Sequence, residues 1–175
     1  VVLITGGARG ITARIAVAMA TRFRCRLELV GRTPAPAADE DPALQGAEDA
    51  PALRRALLAM ANGAGPTTPA FIEAEVARVL AAREIRETLA AIRAAGGTVT
   101  YHAADVRDEA ALRAVIADVR RRHGAIDGVV HGAGLIEDKL LRDKSPESFD
   151  RVVGTKLDGA RVLAEALAPE ARFFV

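Results

Sequence analysis

Residues 5–12 read Thr-Gly-Gly-Ala-Arg-Gly-Ile-Thr, between an apolar run, Val1-Val2-Leu3-Ile4, and a helical spacing of Ile11, Ile15 and Met19. Three glycines in five residues at a strand-to-helix turn constrain the fold more than any other feature of the chain. They clear side chains from a sharp bend and leave backbone N–H groups and a helix N-terminus pointing at an anion. A merely tight turn would not need all three. The spacing is not the strict G-x-G-x-x-G, because Thr12 stands at the third small position.

The rest of the chain repeats the same alternation. Apolar runs at 1–4, 26–31, 98–103, 126–131 and 172–175 lack clean polar–apolar periodicity, as expected of strands covered on both faces. Between them, Leu112, Val115, Ile116 and Val119 form one helical stripe, and Phe149, Val153, Leu157 and Ala160 another. Ser145-Pro146-Glu147 opens the latter helix, with Ser as N-cap and Pro at the first helical position. Alternating strands and helices predict an α/β fold with a doubly wound, Rossmann-like parallel sheet of order 3-2-1-4-5. Aromatics are only 3% of the 175 residues, so the core must be Ala, Val, Leu and Ile. Both ends fall inside apolar runs, so the chain reads as part of a larger protein whose sheet is truncated before its last elements.

One crossover is too long. A strand–helix–strand connection needs about 12–30 residues, whereas this one runs from Arg32 to Thr98. The Pro-rich 33–36, the acidic 39–41 and the Asn62-Gly63-Ala64-Gly65-Pro66 loop mark an insertion at about 33–80, with a short helix over 50–61. Ile72, Val76 and Val79, then Ile85, Leu89 and Ile92, are helically spaced but out of phase, which predicts a kinked helix or two helices.

The candidate site follows the carboxyl ends of the strands. Thr5, Gly6, Gly7, Ala8, Arg9, Gly10 and Ile11 form the turn for a dinucleotide's diphosphate, Gly6 allowing the bend and Gly10 the close approach. Arg32 ends the second strand, where an acid would select NAD and an arginine accommodates the 2′-phosphate of NADP; Arg9 offers a second cation. Asp105, in Ala104-Asp105-Val106, either accepts from an adenine amino group or caps the 109–122 helix. His131, Gly132, Ala133 and Gly134 follow the fourth strand, the small residues admitting the nicotinamide ribose and His131 packing at the strand end.

Net charge is +1, which gives no footprint for nucleic acid or an anionic membrane. The single Cys25 forms no intrachain disulfide, no apolar run reaches a membrane span, and no signal peptide is visible, so a cytoplasmic location is expected. His102 and His123 read as packing residues, and no His/Cys cluster suggests a metal.

Taken together, TGGARGIT (5–12), VGR (30–32), ADV (104–106), HGAG (131–134) and TKLDG (155–159) resemble the ketoreductase domain of type I polyketide synthases, in the short-chain dehydrogenase/reductase superfamily. TPAFIEAEVARVLAAREIRETLAAI (68–92) with HGAGLIEDKLLRDKS (131–145) is similar to the ketoreductase of polyunsaturated-fatty-acid synthases, which would account for the insertion. The resemblance implies that NADPH reduces a β-ketoacyl group, carried on an acyl carrier protein, to the β-hydroxyl. It also implies other domains of the same synthase as partners, and a homodimer through the parent protein. Of that family's Tyr, Ser, Lys and Asn only the lysine maps here, onto Lys156. Its Ser and Tyr are expected beyond Val175, so residues 1–175 alone are expected to be inactive. Tyr101 falls in the third strand, outside the catalytic position, and Ser145 and Ser148 read as capping or solvent-facing. The rival readings are a free-standing dehydrogenase acting on another ketone or alcohol, and a non-catalytic Rossmann-like structural subdomain.

Overall fold

Five parallel strands, β1 (Val2–Thr5), β2 (Arg26–Gly31), β3 (Thr98–Ala103), β4 (Gly128–His131) and β5 (Phe173–Phe174), form one sheet of order β3-β2-β1-β4-β5. The helices are α1 (Gly10–Phe23), α2 (Pro42–Gln45), α3 (Ala50–Ala61), α4 (Pro69–Ala94), α5 (Glu109–His123) and α6 (Pro146–Leu167). The structure is a computed structural model that describes residues 1–37, 39–61, 68–167 and 171–175. The doubly wound sheet and its strand order are those expected from the sequence. The loop expected at 62–66 lies outside the described residues.

Alternate residues of β1 feed two cores. Val2 and Ile4 join Leu27, Leu29, Ala16, Ala20, Ile85 and Ile92 under α1 and α4. Leu3 joins Val30, Leu112, Ile116, Val119 and Leu163 under α5 and α6. β1 thus lies at the centre of the molecule, and the order of strands reverses beside it, between β1 and β4. A third cluster, Leu44, Leu53, Ile72, Val76 and Val79, is built by α2, α3 and the first half of α4. It is a small core of its own, separate from the two that flank the sheet.

Two expectations about helix faces need correction, and the choice left open over residues 69–94 is decided. Residues 69–94 form one helix rather than two, opened by Thr68, whose hydroxyl accepts from Phe71 N–H at 3.2 Å. The phase slip marks a change of partner: Ile72, Val76 and Val79 pack with Leu44 and Leu53 of α2 and α3, and Ile85, Leu89 and Ile92 face the sheet. On α1, Ala13, Ala16 and Ala20 are buried, whereas Ile11 and Ile15 are exposed, because close helix–sheet packing admits only small side chains. On α6 the buried residues are Ser148, Thr155, Gly159, Val162, Leu163 and Leu167, while Phe149 and Leu157 are exposed. Gly159 is required there because a Cβ would come within 2.7 Å of the His131 ring.

His102 and His123 turn out to have a shared partner. Glu28, in the middle of β2 and only 2% exposed, faces α5. Its carboxylate accepts from His102 Nε2 at 2.7 Å, His123 Nε2 at 2.8 Å and Arg122 at 2.8 and 3.0 Å. Burial pushes this carboxyl up, but the donors outweigh it and bring its pKa down to about 2.

Candidate functional site

The carboxyl ends of β1, β2 and β4 open into a cleft of about 530 Å³. It is lined by Gly6, Gly10, Thr12, Gly132 and Ala133, by Val30, Gly31, Ala104, Val106 and Thr155, by Glu84, and at its rim by the exposed Arg9, Arg32, Gly134 and Ile136. A second hollow of about 300 Å³, lined by Gly6, Ala8, Arg9, Gly31, Arg32, Thr33 and Tyr101, adjoins it. This is where ligands sit in open α/β sheets, outside the strand ends at the reversal of strand order.

The glycines of the turn have different jobs. Gly6 has φ +70°, and a Cβ on it would come within 2.9 Å of the Gly132–Ala133 backbone. Gly10, at φ +61°, faces open space, so backbone conformation alone demands glycine there. Gly7 serves the core instead: a Cβ would meet Ile4 Cγ2 at 2.7 Å and Leu29 Cδ2 at 2.9 Å. Ala8 is likewise buried in the core beneath the turn. The Ile11 side chain, 81% exposed, lies outside the cleft wall.

Thr12 and Gly132 are matched. A Cβ on Gly132 would fall 2.5 Å from Thr12 Cγ2 and 2.6 Å from its Oγ1. The bulk of Thr12 is thus accommodated by the missing Cβ across the cleft floor. Gly132→Ala is expected to cost about 1–3 kcal/mol through overpacking, and Thr12→Ala in the same chain to recover most of it. A double-mutant cycle on thermal unfolding measures the coupling; additive losses would show that the two sites are independent.

His131 ties the cleft floor to α6. Its Nε2 lies 3.0 Å from the Lys156 carbonyl, which can only accept, so the proton sits on Nε2. Nδ1 then accepts from the Thr5 hydroxyl at 2.7 Å, and Thr5 Oγ1 accepts from Ala133 N–H at 3.1 Å. Burial lowers the imidazole pKa, against the bond to the Lys156 carbonyl and with the help of the Lys156 charge, so the ring is held neutral. The packing role expected of His131 is therefore also one of orientation. Lys156 reaches alongside Gly134, its Nζ 3.6 Å from where a Cβ on that glycine would stand.

At the other end, Arg32 is exposed and makes no hydrogen bond or ion pair among the described residues. Asp105 is held by Arg107, whose side chain donates at 2.7 and 3.2 Å and whose N–H donates at 3.0 Å. The Arg107 contacts outweigh burial and keep the Asp105 carboxyl below its ordinary range, with a further contribution from Arg32. Asp108, not Asp105, caps α5 by accepting from Ala111 N–H at 3.0 Å. Tyr101 donates to the Thr33 carbonyl at 2.7 Å, which ties its hydroxyl to the end of β2. Ser145 caps α6 through Ser148 N–H, as expected; Ser148 is buried rather than solvent-facing and donates to Glu137 at 2.6 Å.

Sequence reading missed Glu84. Its carboxylate accepts from Gly10 N–H at 2.7 Å and from Arg9 Nε at 2.8 Å, so it binds two donors of the glycine turn. No local signal marks it, since 74 residues separate it from Gly10.

Among known proteins, the family model described as KR domain matches residues 1–175. The chain is 35% identical, over 91% of its length, to a polyunsaturated fatty acid synthase polypeptide of Thraustochytrium sp.. It is 34% identical, over 77% of its length, to a highly reducing polyketide synthase of Cordyceps militaris. It spans about 6% of the length of each of these relatives. Among solved structures, an N-terminal ketoreductase from the macrolactin assembly line superposes on 99% of the chain with TM-score 0.67 and 25% identity, the chain covering 26% of it. A metagenomic short-chain oxidoreductase in complex with NADP superposes on 97% with TM-score 0.63 and 23% identity, the chain covering 54% of it.

Proposed function

The chain belongs to the KR domain family of short-chain dehydrogenase/reductase oxidoreductases, and from that premise we propose that residues 1–175 form the NADPH-binding part of a β-ketoacyl reductase domain, with an insertion at about 33–80. The partners proposed for it are a carrier-protein-bound β-ketoacyl group and the other domains of a multifunctional synthase. One observation carries this reading. A single cleft joins the glycine turn, Arg32 at one rim and the Gly134 rim beside Lys156, and it lies where strand order reverses.

The residues present suit a dinucleotide. Nothing stands within 4 Å of a Cβ position on Gly10, so the turn is bare for a diphosphate there, and Gly6, Gly132 and Gly134 line the same cleft, where a ribose would lie. Arg32, without an ion-pair partner among the described residues, would receive a 2′-phosphate. Bound reduced nicotinamide would supply a hydride to the ketone carbon. The chain's own contribution is orientation and charge. His131 anchors α6 through the Lys156 carbonyl, and the Lys156 ammonium favours the anionic form of a neighbouring phenol, bringing a tyrosine acid closer to working pH.

Arg32→Ala tests the cofactor assignment. A charged hydrogen bond contributes about 1.5–3 kcal/mol, so NADPH affinity is expected to fall roughly tenfold to a hundredfold while NADH affinity barely changes. Fluorescence titration of the intact protein with both coenzymes measures this. Equal losses would refute the role of Arg32, and no binding of either coenzyme would favour the structural-subdomain reading.

A further inference from the structure

The glycine turn already holds an anion of the protein's own. Glu84, on α4, accepts from the Gly10 N–H at 2.7 Å and from Arg9 Nε at 2.8 Å. Both donors belong to the turn, and all three residues line the same cleft. Helix α1 explains why a carboxylate settles there: its N-cap, Arg9, makes no side-chain cap, and its first turn has no acidic residue. An unsatisfied helix start with a nearby guanidinium attracts negative charge, and Glu84 supplies it from another helix. Burial works against ionisation of Glu84, but the Arg9 and Gly10 contacts outweigh it and hold its pKa below the ordinary value.

We propose that Glu84 is a built-in competitor for the diphosphate of the dinucleotide, occupying the Gly10 amide and the Arg9 guanidinium until phosphate oxygens replace it, and so setting the affinity for every dinucleotide alike. This rests on the cofactor reading given above. A carboxylate and a phosphate are both acceptors, so they cannot share the same two donors at once. Displacement is open to Glu84 because its side chain is 39% exposed and has solvent to move into. Arg9, released from it, donates to the diphosphate, and Arg32 alone answers the 2′-phosphate. If the turn is free of Glu84 in about one molecule in ten, apparent affinity is lowered about tenfold.

Glu84→Gln keeps the size of the side chain and removes the charge. The intact protein and this variant are titrated with NADPH, NADH and adenosine 2′-monophosphate, and their thermal unfolding is recorded. Both dinucleotides are expected to bind about tenfold more tightly to the variant, adenosine 2′-monophosphate equally to both proteins, and the melting temperature to fall slightly. Gain of affinity with loss of stability is a combination that a purely structural role would not produce. Glu84→Asp, which withdraws the charge by one methylene, is expected to fall between the two and serves if the glutamine variant does not fold. Unchanged or weaker dinucleotide binding, or an equal shift for all three ligands, would overturn the inference while leaving the cofactor reading intact. Failure of both proteins to bind either dinucleotide would overturn the two together.

Discussion

Glu28→Ala is expected to lower stability by about 3–5 kcal/mol, the usual cost of removing one member of a buried charge pair. For a chain of this size that is a fall in melting temperature of about 6–20 °C. Arg122, His102 and His123 all point at the Glu28 carboxylate, and Arg122 has only Asp118 as a further acidic partner among the described residues. The wild-type protein should show the same group in its acid limb. A pKa near 2 in the fold, against the ordinary 4.5 of the unfolded chain, stabilises the protein by about 3 kcal/mol. Since the folded value is the lower one, that stabilisation is complete above about pH 4.5 and is lost as pH falls towards 2. Chemical denaturation of the wild type and of Glu28→Ala at pH 7 and pH 3 tests both statements. The gap between them should narrow at pH 3, and an equal gap at both would show that the carboxylate is not what stabilises the cluster.

Lys156→Ala is expected to cut ketone reduction by the intact protein about 10²- to 10⁴-fold, the range for loss of assistance to a general acid. The loss should fall on kcat more than on KM, because in the proposed mechanism the ammonium would act when the proton moves rather than when the acyl group docks. Lys156→Arg keeps the charge with a different donor geometry and should recover part of the rate. Turnover of a β-ketoacyl thioester, followed by loss of reduced-nicotinamide absorbance, measures both. Full activity in Lys156→Ala would place the assisting cation elsewhere and leave the residue as a side chain beside Gly134.

Most of the fold could be read from the residues because it depends on local chemistry. The strands at 26–31 and 98–103 coincide with β2 and β3, and the glycine turn stands where a parallel sheet must present it. Misreadings arose where burial was inferred from hydrophobic spacing. Ile11, Ile15, Phe149 and Leu157 have the right periodicity and face outward, because alanine or glycine was needed where a helix lies close to the sheet or to His131. The out-of-phase halves of α4 likewise reflect two partners rather than a break in the helix. Gly7 looked like its neighbours in the turn, but its missing Cβ makes room for Ile4 and Leu29.

By itself the sequence determined the parallel sheet, its strand order, the turn at Thr5–Ile11 and the places of Arg32, Gly132 and Gly134 at strand ends, whereas Lys156 was singled out through the family resemblance. These follow from backbone preference and from repetition along the chain, which neighbouring residues express without help. Only the tertiary structure decided that Glu84 meets Gly10, that His102, Arg122 and His123 converge on Glu28, and that Thr12 fits against Gly132. Those contacts join residues far apart along the chain, and their energies depend on distance, burial and competing charge. Such quantities exist only once the chain has closed on itself.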